Sequence, residues 1–306
     1  MNKDIKKSAL KKLASFAMLL LTSVIWGFAF VAQKVGAEAL RAFSFNGIRF
    51  ALGAVSLIPV VLIFEKCQLS REKLKNTALA SIVAGTVLFI ASALQQFGIE
   101  ITQSAGKSGF ITGLYTVLVP VISFVIYRQK KNVGVWIGAI VAVMGLFLLS
   151  VNESLAFGVG DLVLLIGAFF WAAHILVIDR FVNNISPLCF SMMQFAVCAA
   201  LNLIAAFAFE EITMTAIENA LGPLLYGGLC SVGIAYTLQT IGQKNADPAF
   251  AAIIFSTESV FSAMGGALIL NEKMLPRGYL GCLLIFTGVI ISQITFGKKK
   301  KVDSRK

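Results

Sequence analysis

Glu258 stands in the middle of an otherwise apolar run from 248 to 270. A carboxylate in such a run is costly unless it is paired or protonated, so this residue could carry a proton through an apolar interior. The plainer alternative is a hydrogen bond tying two helices together. A second group of chemistry-bearing residues, Trp26, Gln95, Gln96, Tyr115, Trp171, His174, Tyr236 and Gln239, also falls within apolar runs. Aromatic walls with a few uncharged amides suit an amphipathic organic molecule; helix packing and interhelical bridging are the alternatives. His174 is the only histidine, either a group that exchanges protons near neutral pH or a donor between helices. Arg49 lies a few residues inside its run, near enough to the end to snorkel to the surface, although it could also meet a carboxylate or an acidic substrate. Cys67, Cys189, Cys198, Cys230 and Cys282 are scattered with neither a C-x-x-C nor a metal spacing. Neither disulfide, metal site nor cofactor is expected.

The elements that must position these groups follow from composition. Of 306 residues, 58% are hydrophobic and 13% charged, against about 45–50% and about 25% in soluble domains. Too few charges remain to clothe a soluble surface, which excludes a soluble enzyme, a disordered chain and a nucleic-acid partner. A bilayer core about 30 Å thick needs about 20 apolar residues in helix. Ten such runs occur, near 13–34, 43–64, 76–99, 106–127, 133–151, 159–179, 187–208, 220–241, 248–270 and 277–296. The fold class is therefore all-α integral membrane, with the lipid bilayer as its main partner. The N-terminal run exceeds the h-region of a signal peptide and is expected to remain as the first span; the A-x-A triplet Ala37–Ala39 leaves cleavage as the alternative.

With an even number of spans and both termini inside, 20 Lys and Arg fall on the inner side and five on the outer. This places both termini in the cytoplasm of a multi-pass protein of the plasma (inner) membrane. The basic tails 1–12 and 297–306 flank two halves, 13–151 and 159–296. Sliding the chain by 143–145 residues pairs these halves: Trp26 with Trp171, Gln95 with Gln239, Tyr115 with Glu258, Gly138 with Gly281, Gly145 with Gly288. Five spans per half is odd, so the halves are expected as inverted repeats around a central cavity, with Tyr115 and Glu258 opposite each other near the midplane. Gly109 with Gly113 and Gly134 with Gly138 read as small-xxx-small packing sites.

Four stretches resemble EamA-type members of the drug/metabolite transporter superfamily: SVIWGFAFVAQK (23–34), LQQFGIEITQSAGKSGFITGLYTVLVPV (94–121), STESVFSAMGGALILNEK (256–273) and GYLGCLLIFTGVII (278–291). The resemblance implies a ten-helix basket with a cavity formed by the first, third, fourth, sixth, eighth and ninth helices. It also implies transport, often export, of small metabolites such as amino acids. The chain departs from the family where Glu258-Ser259 replaces Glu-Pro, so the usual proline kink is not expected there, and where Thr116 replaces a proline, with Pro120 one turn later. The short exit of the fourth helix, Gly-Glu-Lys/Arg in the family, reads Arg128-Gln129-Lys130 here.

The function expected is thus secondary transport of a small organic metabolite, an amino acid or similar neutral or amphipathic solute, by alternating access. The substrate-binding candidates are the eight aromatic, amide and histidine residues above; Glu258 is the proton-coupling candidate; no residue is expected to be catalytic. A broad-specificity drug exporter competes within transport. An intramembrane serine protease would pair Ser108 of Gly106-Lys107-Ser108-Gly109 with His174, as in rhomboid proteases, but the two lie toward opposite ends of their spans. A non-transporting scaffold has no soluble domain through which to signal. Phosphorylated substrates would want several midspan cations, and Arg49 alone qualifies. No Walker motif occurs, so ATP hydrolysis is not expected to drive transport. The chain is expected as a monomer or homodimer.

Overall fold

Proline and short polar side chains mark where the apolar runs wind into helices. Pro187, Pro248 and Pro276 each occupy a first-turn position, where the missing N–H breaks no helical hydrogen bond. Asp247 caps the helix that Pro248 opens by accepting from Ala249 N at 2.9 Å, and Asp161 accepts from Gly158 N at 2.7 Å. The computed structural model describes residues 3–65, 70–102, 105–150, 158–270 and 273–294, with side chains omitted at 3–8, 105–107 and 150. Most of the basic residues in the two tails, Lys66, Cys67, Lys107 and the connector 151–157 therefore lie outside the described parts.

The described residues are helical, with no strand among them. In chain order the helices are α1 (Lys3–Gly36), α2 (Ala42–Phe64), α3 (Arg71–Thr102), α4 (Ala105–Gly113), α5 (Tyr115–Val125), α6 (Val133–Ser150) and α7 (Val159–Phe181). They continue with α8 (Pro187–Phe209), α9 (Met214–Asn219), α10 (Leu221–Leu225), a π-helical segment (Tyr226–Tyr236), α11 (Thr237–Gln243), α12 (Pro248–Phe255), α13 (Glu258–Ile269) and α14 (Pro276–Gln293). Eight stretches are long and apolar enough to cross a membrane: Ala9–Gly36, Ala42–Phe64, Arg71–Thr102, Ser108–Val125, Val159–Phe181, Pro187–Phe209, Leu221–Gln243 and Pro248–Ile269. The α6 and α14 helices, 18 residues each, coincide with the two remaining apolar runs.

Two of the runs read as continuous are broken in the middle, without a proline at either break. The fourth parts at Leu114 and the ninth at Ser256-Thr257. At the ninth, the hydroxyls of Ser256 and Thr257 donate back to the Ile253 and Ile254 carbonyls at 2.7 and 2.8 Å. Such back-bonding competes with the helical ladder, and the backbone tightens to three-residue bonds, Thr257 N to Ile254 O and Val260 N to Thr257 O. At the fourth, Leu114 N bonds to Ile111 O and Val117 N to Leu114 O in the same way, and the ring of Pro120 crowds the carbonyl of residue 116 from one turn below.

Helix pairs are joined by contacts that run both ways. Glu65, at the C-terminal end of α2, accepts from Leu188 N and Cys189 N at the start of α8, both at 3.0 Å. Glu210, at the C-terminal end of α8, accepts from Phe43 N (2.9 Å), Ser44 N (2.7 Å) and Ser44 Oγ (2.6 Å) at the start of α2. Each carboxylate thus neutralises free N–H groups of the partner helix. The α6–α14 crossing is reciprocal too: a Cβ on Gly138 would come within 2.6 Å of Gly288 O, and one on Gly145 within 2.6 Å of Gly281 O. Only glycine lets these backbones approach so closely. Gly113 closes against Leu146, whereas Gly109 has room to spare.

Removing a cap leaves N–H groups unpaired at a buried helix start. Glu210→Ala should lower the stability of the purified protein by about 1–2 kcal/mol, read from chemical unfolding in detergent, and Glu65→Ala by a similar amount. Replacing the exposed neighbour Glu211 by Ala should leave the midpoint unchanged.

Candidate functional site

The two breaks meet at the centre. Tyr115 is the first residue of α5 and Glu258 the first of α13, so each interruption aims one polar side chain inward. The Tyr115 hydroxyl donates to Glu258 Oε1 at 2.9 Å. Both residues are buried, with Glu258 only 4% exposed, and the carboxyl sits at the N-terminal end of α13, where the helix dipole favours negative charge.

Around this pair lies a partly open cavity. Trp26, Gln95, Tyr115, Trp171, Tyr236, Gln239 and Glu258 all stand on its wall. Gln96 and His174 do not. Gln96 Nε2 donates to Gln33 O at 3.3 Å, and His174 Nε2 lies 3.1 Å from Gln194 Oε1; both residues are wholly buried behind the cavity. The Ser108 hydroxyl lies 2.9 Å from that of Thr102, so neither Ser108 nor His174 has the other as its hydrogen-bond partner.

Tyr236 organises the aromatic part. Its ring centroid lies 4.7 Å from Trp26, 6.2 Å from Trp171 in a stacked arrangement, 6.0 Å from Phe50 and 5.9 Å from Phe195. It ends the π-helical segment, whose wider turns were not legible as such in YGGLCSVGIAY. Glycine allows this segment to sit against α2: a Cβ on Gly228 would be 2.6 Å from Leu52 Cβ, and one on Gly53 2.3 Å from Val232 Cγ1. The side chains of α1 take up carbonyls along it. Trp26 Nε1 donates to Ser231 O at 3.3 Å, and Thr22 Oγ1 to Ala235 O at 3.0 Å. A π-helical turn within an otherwise α-helical run is a frequent mark of a functional site.

Sequence reading missed several wall residues, among them Gln33, Thr112, Ser231 and Phe255. Arg49 corrects the expectation of snorkelling: it is 2% exposed and faces the cavity. Its Nε donates to Asn46 Oδ1 at 3.0 Å, and Asn46 is in turn held by Ser92 O. Its guanidinium lies 4.9 Å from the ring centre of Phe50 and 5.6 Å from that of Phe45. Four buried polar atoms on the wall, Gln33 Oε1, Thr112 Oγ1, Trp171 Nε1 and Gln239 Oε1, have no hydrogen-bond partner among the described residues. Buried polar atoms are ordinarily satisfied by the protein itself; other exceptions lie elsewhere in the core, but these four border the cavity, where a solute could bond to them.

Comparison with known proteins agrees with this architecture. The model of the EamA-like transporter family matches residues 13–151 and again 158–293. An uncharacterized transporter of Archaeoglobus fulgidus is 29% identical over 287 residues, covering 92% of this chain and 86% of its own. The uncharacterized transporter YoaV of Bacillus subtilis is 26% identical, covering 92% and 97%. A solved crystal structure superposes with a TM-score of 0.75 at 17% identity, over 93% of this chain and 96% of the other, which is a likeness of fold.

The hub position of Tyr236 yields a test. Tyr236→Ala should empty the centre of the ring cluster and cost about 3–5 kcal/mol in unfolding experiments. Tyr236→Phe keeps the stacking and should stay within about 1 kcal/mol of the parent.

Proposed function

Because the chain belongs to the EamA-like transporter family, we propose that it is a secondary transporter moving a small organic metabolite, an amino acid or a similar amphipathic solute, outward across the plasma membrane. The observation that carries this reading is the central cavity, set where two interrupted spans meet and walled by buried polar atoms that lack partners. Helices broken near the midplane are how transporter folds bring polar backbone and side chains to a substrate in the absence of bulk water.

The proposed architecture is ten spans in two inverted halves, 13–151 and 159–296, with basic tails 1–12 and 297–306 in the cytoplasm. It is supported by corresponding features at nearly constant separation. Tyr115 and Glu258, which touch, are 143 residues apart, and the caps Glu65 and Glu210 are 145 apart. In two inverted copies, swapping the conformations of the halves would expose the cavity to the other side. The Lys131–Asp247 ion pair, at 2.8 Å, ties the connector before α6 to the start of α12. The Asp247 side chain is 47% exposed and that of Lys131 only 4%, so the pair meets water on its carboxylate side.

Glu258 is the proposed coupling group: a carboxyl on the cavity wall, held by a single tyrosine hydroxyl, can exchange its proton with either side as access alternates. Comparing metabolites inside and outside cells with and without the chain should reveal a solute whose distribution depends on it. Glu258→Gln should abolish transport of that solute driven by a pH gradient while leaving exchange down its own gradient. Trp171→Ala should lower apparent affinity about tenfold or more. Full proton-driven transport by the Gln variant would remove the coupling role.

A further inference from the structure

Arg49 has more hydrogen-bonding capacity and more charge than its surroundings use. It is the eighth residue of α2, about 10 Å below the start of the helix at 1.5 Å per residue, too deep for its charge to be at the surface. A guanidinium offers five N–H donors in a planar fork. One of them, on Nε, is bound by Asn46. The terminal nitrogens donate to no described residue, and no carboxylate among the described residues pairs with the group. Phe45 and Phe50 fix its plane, and the Asn46–Ser92 bond fixes the residue that fixes it. A rigid, buried, unpaired fork facing a cavity is a costly arrangement for stability alone, because a desolvated charge without a partner is disfavoured.

We propose that Arg49 anchors the carboxylate of the substrate, and that the cavity takes monocarboxylates with an aromatic or apolar body. This deepens the transport reading above and rests on it. The fork matches the two oxygens of a carboxylate. A phosphate dianion is disfavoured, because Arg49 is the single basic group on the wall among the described residues and the wall also carries Glu258. A simple amine with no carboxylate would leave the fork unmet. The rest of the wall, Trp26, Phe30, Trp171, Tyr236 and Phe255, provides the surface for an apolar body, and the free atoms of Gln33 and Gln239 take up its polar substituents.

The test compares matched probes on the full chain purified in detergent: 3-phenylpropionate, its primary amide and 3-phenylpropylamine, with hexanoate, hexanamide and hexylamine as the aliphatic set. Binding is read by thermal stabilisation and by quenching of tryptophan fluorescence. At least one carboxylate should bind, its amide and amine at least tenfold more weakly. Arg49→Gln should lose at least tenfold in that affinity, and Arg49→Lys, which keeps the charge but not the fork, should also fall short of the parent. Equal binding of acid and amide overturns the assignment, as does undiminished binding by Arg49→Gln or binding of none of the carboxylates. The acid–amide comparison uses the parent protein and stands even if a variant fails to fold. Uptake of the bound acid into proteoliposomes at pH 8, above protein-free vesicles, separates the two readings. Binding without uptake sinks transport and leaves the anchor; uptake of an amide or amine in preference to the acid sinks the anchor and leaves transport.

Discussion

In hydrocarbon no water is at hand to satisfy a stray N–H or C=O, so polar groups must find partners inside the protein. Most of the unusual features of this chain are answers to that demand. Glu65 and Glu210 close the starts of α8 and α2. Ser256 and Thr257 fold onto carbonyls of their own helix at the point where it breaks. Trp26 and Thr22 reach across from α1 to carbonyls of the π-helical segment. The wall of the central cavity is one place where the demand is not met, and there the unpartnered atoms of Gln33, Thr112, Trp171 and Gln239 border open space.

The same demand explains why the interruptions can exist without proline. A break in a buried helix exposes backbone groups, and it persists only where neighbouring groups accept or donate in place of the lost ladder. The hydroxyls of residues 256 and 257 supply the replacement in the ninth run; in the fourth, three-residue backbone bonds do so. Each break leaves a first-turn residue free to point into the cavity, which is why Tyr115 and Glu258 can meet.

How much could be read beforehand varied with the kind of physics involved. The apolar runs located the helices to within about five residues, except that α1 begins at Lys3, ten residues before its run, because the hydrophobic length needed to cross a bilayer is a strong constraint. The pairing of Tyr115 with Glu258 was legible from the offset between the halves. The breaks were not: Ser256-Thr257 reads as two unremarkable polar residues, and only their rotamers turn them against the ladder. The π-helical segment was likewise hidden, although the spacing of Gly227, Gly228 and Gly233 signals a close approach once its neighbour α2 is known. Arg49 was misjudged because distance from a helix end, which favours snorkelling, was legible, whereas the grip of Asn46, Phe45 and Phe50 was not. His174 and Gln96 showed the converse: the right residue types in the right runs, turned to partners behind the cavity.

Correspondence between the halves makes the differences between them informative. At the offset of 145 residues that relates Trp26 to Trp171, the position matching Arg49 is Gln194. Gln194 turns to His174, whereas Arg49 faces the cavity and its terminal nitrogens bond to no described residue. The tryptophans diverge in the same sense: Trp26 Nε1 is satisfied by Ser231 O, and Trp171 Nε1 has no partner among the described residues. The π-helical segment occurs in the eighth run, while its counterpart α3 is regular. A pair of matched bundles can rock between two equivalent arrangements, yet a wall with perfect symmetry would offer a substrate two indistinguishable orientations. Under the proposed transport reading, a cation contributed by one half and an indole N–H without a described partner contributed by the other would give a dipolar ligand a single preferred orientation. Duplication of the scaffold would thus serve movement, and divergence of a few side chains would serve recognition.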